Sequence, residues 1–459
     1  MKATLSDFKL AREARHSLAR KMSTGWPKDN SLPFHESLDW DLGLKSIGPC
    51  AGLLLCAAVT LPGQAMQTYT WQQLREKFQA QNPALQAGKL NIDEARAQEI
   101  TAFLRPNPDL VVGVDQLNPF SIEPYRPFGY ALPLFSMSYL HERQHKRELR
   151  LDSAKKNTSI TASQQDDLQR TMLFTLRTAF VMALQAKSVA ALARENLAYY
   201  DRLLALSQDR LNAGDISQVD LQRLDLQRVQ YQSDVQSAEV NVRTAKIQLL
   251  GMLNDRTPVD QFDIEGTFEY SETLMPLTEA RQLALDSRPD LREAVQQAEK
   301  AATDHQLAVA NGSADPVFAV DAGRNPPIPA YFGVSVSIPL RIFDRNQGEK
   351  ERTAIEIRRS QRLHDAAVSQ IYSDVDSAYA TLNSSLGLLR PYRTKYLDEA
   401  SRVRDTIAFA YQHGGTSLLD FLTAQNEYRS IQLNYLNLVG SWMNAANQFN
   451  LAIGREAIP

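Results

Sequence analysis

Apolar side chains recur every seven residues through the middle of the chain: Leu176, Ala183, Ala190, Leu197, Leu204 and Leu211, with a companion row of Ala179, Ala186, Ala193 and Tyr200. After Gly214 the spacing alternates three and four, through Leu221, Leu224, Arg228, Tyr231, Val235, Ala238, Val242, Ala245 and Leu249. The same register returns 200 residues later as Phe421, Ala424, Tyr428, Ile431, Tyr435, Leu438, Trp442, Ala445 and Phe449. This spacing predicts coiled-coil packing, with Arg228 as the one polar break. No proline lies between Leu134 and Thr257. Gly214 and the pair Gly414–Gly415 each stand midway between two apolar runs. Glycine accepts positive φ, which suits a tight turn between antiparallel helices. Two long helical hairpins are therefore expected, over about residues 140–250 with a tip at 212–216, and over about 345–450 with a tip at 413–417.

Elsewhere the period changes to two. In residues 331–340, Phe332, Val334, Val336 and Ile338 alternate with Gly333, Ser335 and Ser337. That is a strand with one apolar face and one small, polar face. Residues 110–117, 128–138 and 317–322 alternate less cleanly. Strands are expected within about 109–138 and 316–342, each pair flanking a proline-rich loop. Landmarks such as Asn82-Pro83 and Arg288-Pro289, or Phe128-Gly129 and Phe332-Gly333, recur about 200 residues apart. The chain thus reads as a duplication, with one copy at 66–265 and the second at 266–459. Each copy opens with a helix, near 71–104 and 277–310. Four strands close no sheet, and an open edge cannot sit in lipid. A transmembrane barrel needs at least eight strands, which three chains supply. A homotrimer follows if the strands are embedded.

Residues 47–61 form the one strong apolar run, and small residues follow up to Ala65. Such a run is too short to span a membrane as a helix of about 20 residues. It reads as the core of a signal peptide, so 1–65 is an N-terminal extension with cleavage near Ala65. Both cysteines, Cys50 and Cys56, fall inside it. The remaining chain has no disulfide, thiolate metal site or cysteine nucleophile. Neither cysteine follows a small residue, which argues against a lipid anchor.

The chain has 459 residues, 43% of them hydrophobic and 22% charged, with a formal net charge of -3. That balance excludes a disordered chain and gives no basic surplus for nucleic acid. A mean hydropathy of -0.35 excludes a multi-span helical membrane protein but not a barrel. One enzyme-like string is present, His141-Glu142-Arg143-Gln144-His145. On a helix it would place two histidines on one face for zinc. It needs a third ligand, however, and Gln347 stands opposite His141 in the second copy. No phosphate-binding loop, dinucleotide fingerprint or nucleophile elbow is found. No catalytic residue, cofactor site or metal site is expected.

The duplication, the strand–helix order and the two glycine turns resemble the TolC-like outer membrane factors, the exit ducts of tripartite efflux pumps and type I secretion systems. The string at 338–349 (IPLRIFDRNQGE) most resembles the CzcC branch, which serves heavy-metal pumps of the RND type. The resemblance implies a mainly α fold. A homotrimer would carry a twelve-stranded β-barrel in the outer membrane of a Gram-negative bacterium and a twelve-helix α-barrel in the periplasm. It implies a passive conduit for heavy-metal cations, with a periplasmic adaptor docked at Gly214, Gly414 and Gly415 and an inner-membrane RND pump reached through that adaptor. Asp220, Tyr411 and Asp420 take the gate positions, with a Tyr411 hydroxyl donating to Asp220. Thr423 replaces a second gate aspartate. Capping of the following helices by Asp220 and Asp420 is the plain alternative. A duct for organic solutes or type I secretion, and a soluble coiled-coil scaffold, are the rival functions.

Overall fold

The computed structural model describes residues 67–458, apart from 118–119, 121–123, 125–127 and 129–130. The apolar run, the cleavage site near Ala65 and both cysteines lie outside the described residues. After a short strand β1 (Gln67–Tyr69) come helices α1 (Trp71–Gln81) and α2 (Pro83–Phe103). Strands β2 (Asp109–Asp115) and β3 (Leu132–Leu140) lead into α3 (Lys146–Ala213) and α4 (Gln218–Met252). The order then recurs. Strand β4 (Phe262–Ile264) and helices α5 (Leu277–Ser287) and α6 (Pro289–Asn311) precede strands β5 (Val317–Asn325) and β6 (Ile328–Ser337). The chain ends with α7 (Gln347–Pro391), α8 (Leu397–Gln412) and α9 (Leu418–Ile453).

Three features depart from the sequence reading. The opening helix of each half is two helices, broken at Asn82-Pro83 and Arg288-Pro289. Proline has no N–H to donate and disfavours helical geometry in the residue before it, so Pro83 and Pro289 start new helices at N1. Asn82 caps α2 by accepting from the N–H groups of Ala84 and Leu85 at 3.0 and 3.2 Å. The second long stretch is also interrupted before its glycine turn. Past Pro391, the helix widens into a π-turn at Tyr392–Tyr396 before resuming as α8. Lastly, β1 and β4 form a parallel pair, Gln67 opposite Phe262, too short for any periodicity to reveal.

The 68-residue α3 is about 100 Å long at ~1.5 Å per residue. Near the sheet α2, α3, α6 and α7 pack in that order, and away from it α4, α3, α9 and α8. Between these halves lies a collar with two cores. Leu74, Phe78, Leu176, Phe180, Leu249 and Ile264 make one. Ala280, Ile371, Leu382, Trp442 and Phe449 belong to the other. Below the collar, Ala190, Ala193 and Ala238 bring α3 and α4 close. Arg228, the polar break in the seam, turns aside to hold Asp201 at 2.6 Å.

Among the ion pairs at the collar, one spans the first core between α1 and the end of α4. Lys77 donates to Asp255 at 2.5 Å and to the Tyr69 hydroxyl at 3.0 Å. The Lys77 ammonium and the Thr257 donors lower the Asp255 carboxyl from 3.8 to about 2, although burial opposes them. This depressed carboxylate stabilises the fold fully above its unfolded pKa, and the contribution is lost as pH falls from about 4 to 2. Asp255→Asn should cost about 1.5–3 kcal/mol at pH 7. Thermal unfolding measured from pH 7 to 2 should show the gap between wild type and variant closing below pH 4. A gap independent of pH would mean that the pair does not hold the collar.

Candidate functional site

Two regions carry functional geometry: the sheet at one end and the helical tips at the other. β2, β3, β5 and β6 form a four-stranded antiparallel sheet in that order. Its register sorts the side chains. Leu110 faces Met137, which faces Val320, which faces Val334. Val112, Phe135, Ala322 and Phe332 form the next row, and Tyr139, Phe318 and Val336 another. Paired residues share a face, so one face is apolar throughout. On the opposite face the rows read Asp109, Ser138, Ala319, Ser335 and Val111, Ser136, Asp321, Gly333. Phe332 and Val334 remain 73% and 75% exposed. No described element covers this apolar face, and β2 and β6 are open edges.

The strings that link strand to helix are built alike. α3 follows His145, with φ of 53°, and α7 follows Asn346, with φ of 59°. His145 and Asn346 are therefore structural counterparts, which corrects the pairing of Gln347 with His141. The His141–His145 string is not helical, because α3 begins only at Lys146. The His141 ring lies edge-on to Phe318, while His145 is exposed. Glu142 is bound by Arg150. The two histidines thus do not share a helix face, and no group of three metal-ligating side chains occurs among the described residues.

At the far end the two tips pack together through Tyr200, Leu203, Leu224, Tyr411 and Phe421. Gly214 closes α3 with φ of 85°, and Asp215 N donates to Arg210 O at 2.9 Å. Gly414 follows α8 with φ of 74°, a left-handed geometry that favours glycine. Gly415 does not share this geometry. Its N–H donates to Ala410 O at 2.7 Å, so it serves the turn through its backbone.

The three gate candidates fall within this tip region, but not in the bonding pattern expected of them. Ser217 Oγ caps α4, accepting from Asp220 N at 3.1 Å and donating to the Asp220 carboxylate at 2.8 Å. Ser417 and Asp420 form the corresponding capping box of α9. The Ser417 and Thr416 hydroxyls, at 2.7 and 3.1 Å, hold the exposed Asp420 carboxyl below its ordinary range. Thr423 bonds to its own helix at Leu419 O. Tyr411 is buried and stacked on Phe421, with ring centroids 4.9 Å apart. Its hydroxyl makes no hydrogen bond to Asp220 within the chain, because the stacked ring commits it to the core. Burial raises its pKa, and Asp220 adds to the rise while Arg210 opposes it. Arg210 adds a polar link between the tips: it sits 5.4 Å from the Tyr411 ring centre and donates to Tyr411 O at 3.3 Å. Nothing in the sequence marks Arg210 for this, since its partner lies 201 residues away.

Residues 280–455 match the family described as outer membrane efflux protein. The cobalt-zinc-cadmium resistance protein CzcC of Cupriavidus metallidurans is 22% identical over 320 residues, which cover 68% of this chain and 74% of CzcC. CusC, solved in a study of its folding and transmembrane channel formation, superposes with a TM-score of 0.69 and 18% identity, over 84% of this chain and 92% of CusC. The MtrE outer membrane channel of Neisseria gonorrhoeae, in its open state, gives 0.66 and 15%, over 84% and 89%. The resemblance to TolC-like outer membrane factors, and to CzcC among them, is thus seen in family profile, relative and fold.

Proposed function

We propose that this chain is one subunit of a homotrimeric outer membrane export duct, with its sheet in the membrane and its helices in the periplasm. The observation that carries the reading is the sheet: one continuous apolar face, an opposite face on which small and polar residues mix with Val111, Leu134 and Tyr331, and two open edges. Pairing β2 of one copy with β6 of the next would satisfy both edges. Three copies of a four-stranded sheet would close a twelve-stranded barrel, its apolar face to lipid and Asp321 toward the lumen. The helices support the same closure. Val219, Leu226, Val240 and Ile247 lie on one seven-residue row, interrupted by Ser233, along the exposed side of α4, and Leu226 is 73% exposed. Tyr396 and Val403, also seven apart, are exposed at and beside α8. These free seams fit α4 of one copy against α8 of the next. The two halves of the chain, 66–265 and 266–459, would then act as repeats that double the helices per subunit.

In this reading the chain is a passive conduit with no chemistry of its own. Heavy-metal cations are the proposed cargo, by likeness to CzcC. An inner-membrane RND pump would drive export through a periplasmic adaptor seated on the turns at Gly214, Gly414 and Gly415. The resting closure at the tips would rest on the Arg210–Tyr411 bridge, with Asp220 held by the Ser217 cap beside it. Three copies of the exposed Asp420 would ring the opening and favour cations.

Two experiments test these assignments. Val334→Lys places a charge on the apolar face, at a cost of about 2–4 kcal/mol near mid-membrane, whereas Ser335→Lys points the other way. Native mass measurement of the detergent-extracted complex should find three chains for wild type and Ser335→Lys, and loss of the trimer for Val334→Lys. A monomeric wild type, or equal tolerance of both lysines, would sink the architecture. For the tips, Arg210→Gln should raise single-channel conductance in planar bilayers, and Asp420→Ala should weaken block by multivalent cations. Unchanged conductance and block in an intact trimer would leave Asp220 and Asp420 as helix caps only.

A further inference from the structure

A cavity of about 180 Å³ opens where β3 passes into α3, between Arg105, Tyr139, His141, Lys146 and Arg147. Its position in the sheet register gives it meaning. Tyr139 is in the last apolar row, opposite Phe318, and His141 lies with its ring edge against that same Phe318. The cavity therefore opens on the apolar side of the sheet, just beyond the strand end that joins the helices. Phe103 and Leu104, both exposed, flank it, and the Arg147 guanidinium lies over the Phe103 ring at 4.3 Å.

Its charges are unevenly matched. The carboxylates lining it are already engaged, Glu142 by Arg150 and Glu148 by Arg147. Lys146 is buried and committed to Asp315 at 2.6 Å and Ser313 O at 2.9 Å. Arg105 is exposed and has no hydrogen bond or ion pair among the described residues. The cavity thus presents one uncommitted guanidinium, beside a second that is only half satisfied, at the rim of an apolar wall edged by aromatic rings. Arginine presents a fork of donors that matches a phosphate, and aromatic rings sit stably at headgroup depth.

We propose that this cavity holds the headgroup phosphate of an anionic glycerophospholipid in the leaflet facing the helices. The inference rests on the outer membrane reading above. An anionic headgroup suits the site because a zwitterionic one would set its own ammonium among Arg105, Lys146 and Arg147. The lipid would anchor each subunit at a fixed depth, at the level where barrel gives way to helices.

The test is native mass spectrometry of the detergent-extracted wild-type complex, titrated separately with dioleoyl phosphatidylglycerol and dioleoyl phosphatidylcholine. Wild type should bind the anionic lipid more tightly. Arg105→Gln should weaken that binding about five-fold, the effect of one cationic side chain near an anionic surface. Binding of the zwitterionic lipid should not change. Because Arg105 bonds to nothing among the described residues, its replacement should leave the fold and the assembly intact. Equal binding of both lipids by an intact wild-type trimer, or an unchanged anionic preference in Arg105→Gln, would overturn the proposal and leave the cavity to be covered by the next copy. A wild-type complex that does not fractionate with the outer membrane would overturn the duct reading and this site together.

Discussion

The rest of the structure depends on an unmet demand of the four-stranded sheet. Its hydrogen bonds stop at β2 on one side and β6 on the other, and no described element covers its apolar rows. In water, such a face and two such edges invite uncontrolled association. In lipid, each unpaired N–H or C=O is costlier still. Closing the sheet on itself with further copies, as proposed, would remove both edges at once, and a membrane would cover the face. The small and polar residues opposite, such as Ser138, Asp321 and Ser335, would then be free to face water inside.

The helices answer a different problem, spanning about 100 Å without a wide core. Each helix of the lower half meets its neighbours through narrow seams. Where alanines such as Ala190, Ala193 and Ala238 line a seam, backbones approach closely. At the tips bulk returns, as Tyr200 stacks on Tyr231 with ring centres 4.5 Å apart, and Tyr411 on Phe421. The two tips of one chain are thus packed into a single core. A partner seated on the turns would act on both hairpins together. The collar ion pairs, Lys77–Asp255 among them, fix where the two halves meet.

Much of this was legible in the sequence because its signals are periodic. The register of Leu221–Leu249, repeated by Phe421–Phe449, reports which side of α4 and α9 is buried. The alternation in 331–337 reports which face of β6 is apolar. The sequence was silent where long-range pairing decides. Arg210 meets Tyr411, and β1 meets β4, through contacts that no local pattern marks. It misled where one residue overrode a period: Pro83 and Pro289 each split a helix, and Pro391 forced a π-turn. At the tips, the Tyr411 hydroxyl bond to Asp220 expected from the sequence gives way to stacking of the ring on Phe421, since a buried ring on a neighbouring aromatic outweighs a single exposed hydrogen bond.

The most direct measurement is a nitroxide scan along β5 in the membrane-reconstituted protein, one label at a time from 317 to 323. Collision with oxygen, which concentrates in lipid, and with a water-soluble nickel complex would be read at each site. The account predicts strict alternation: oxygen-accessible at Phe318, Val320 and Ala322, nickel-accessible at Ala319, Asp321 and Gly323. Labels that are equally water-accessible along the whole strand would place the sheet outside the membrane and contradict the account.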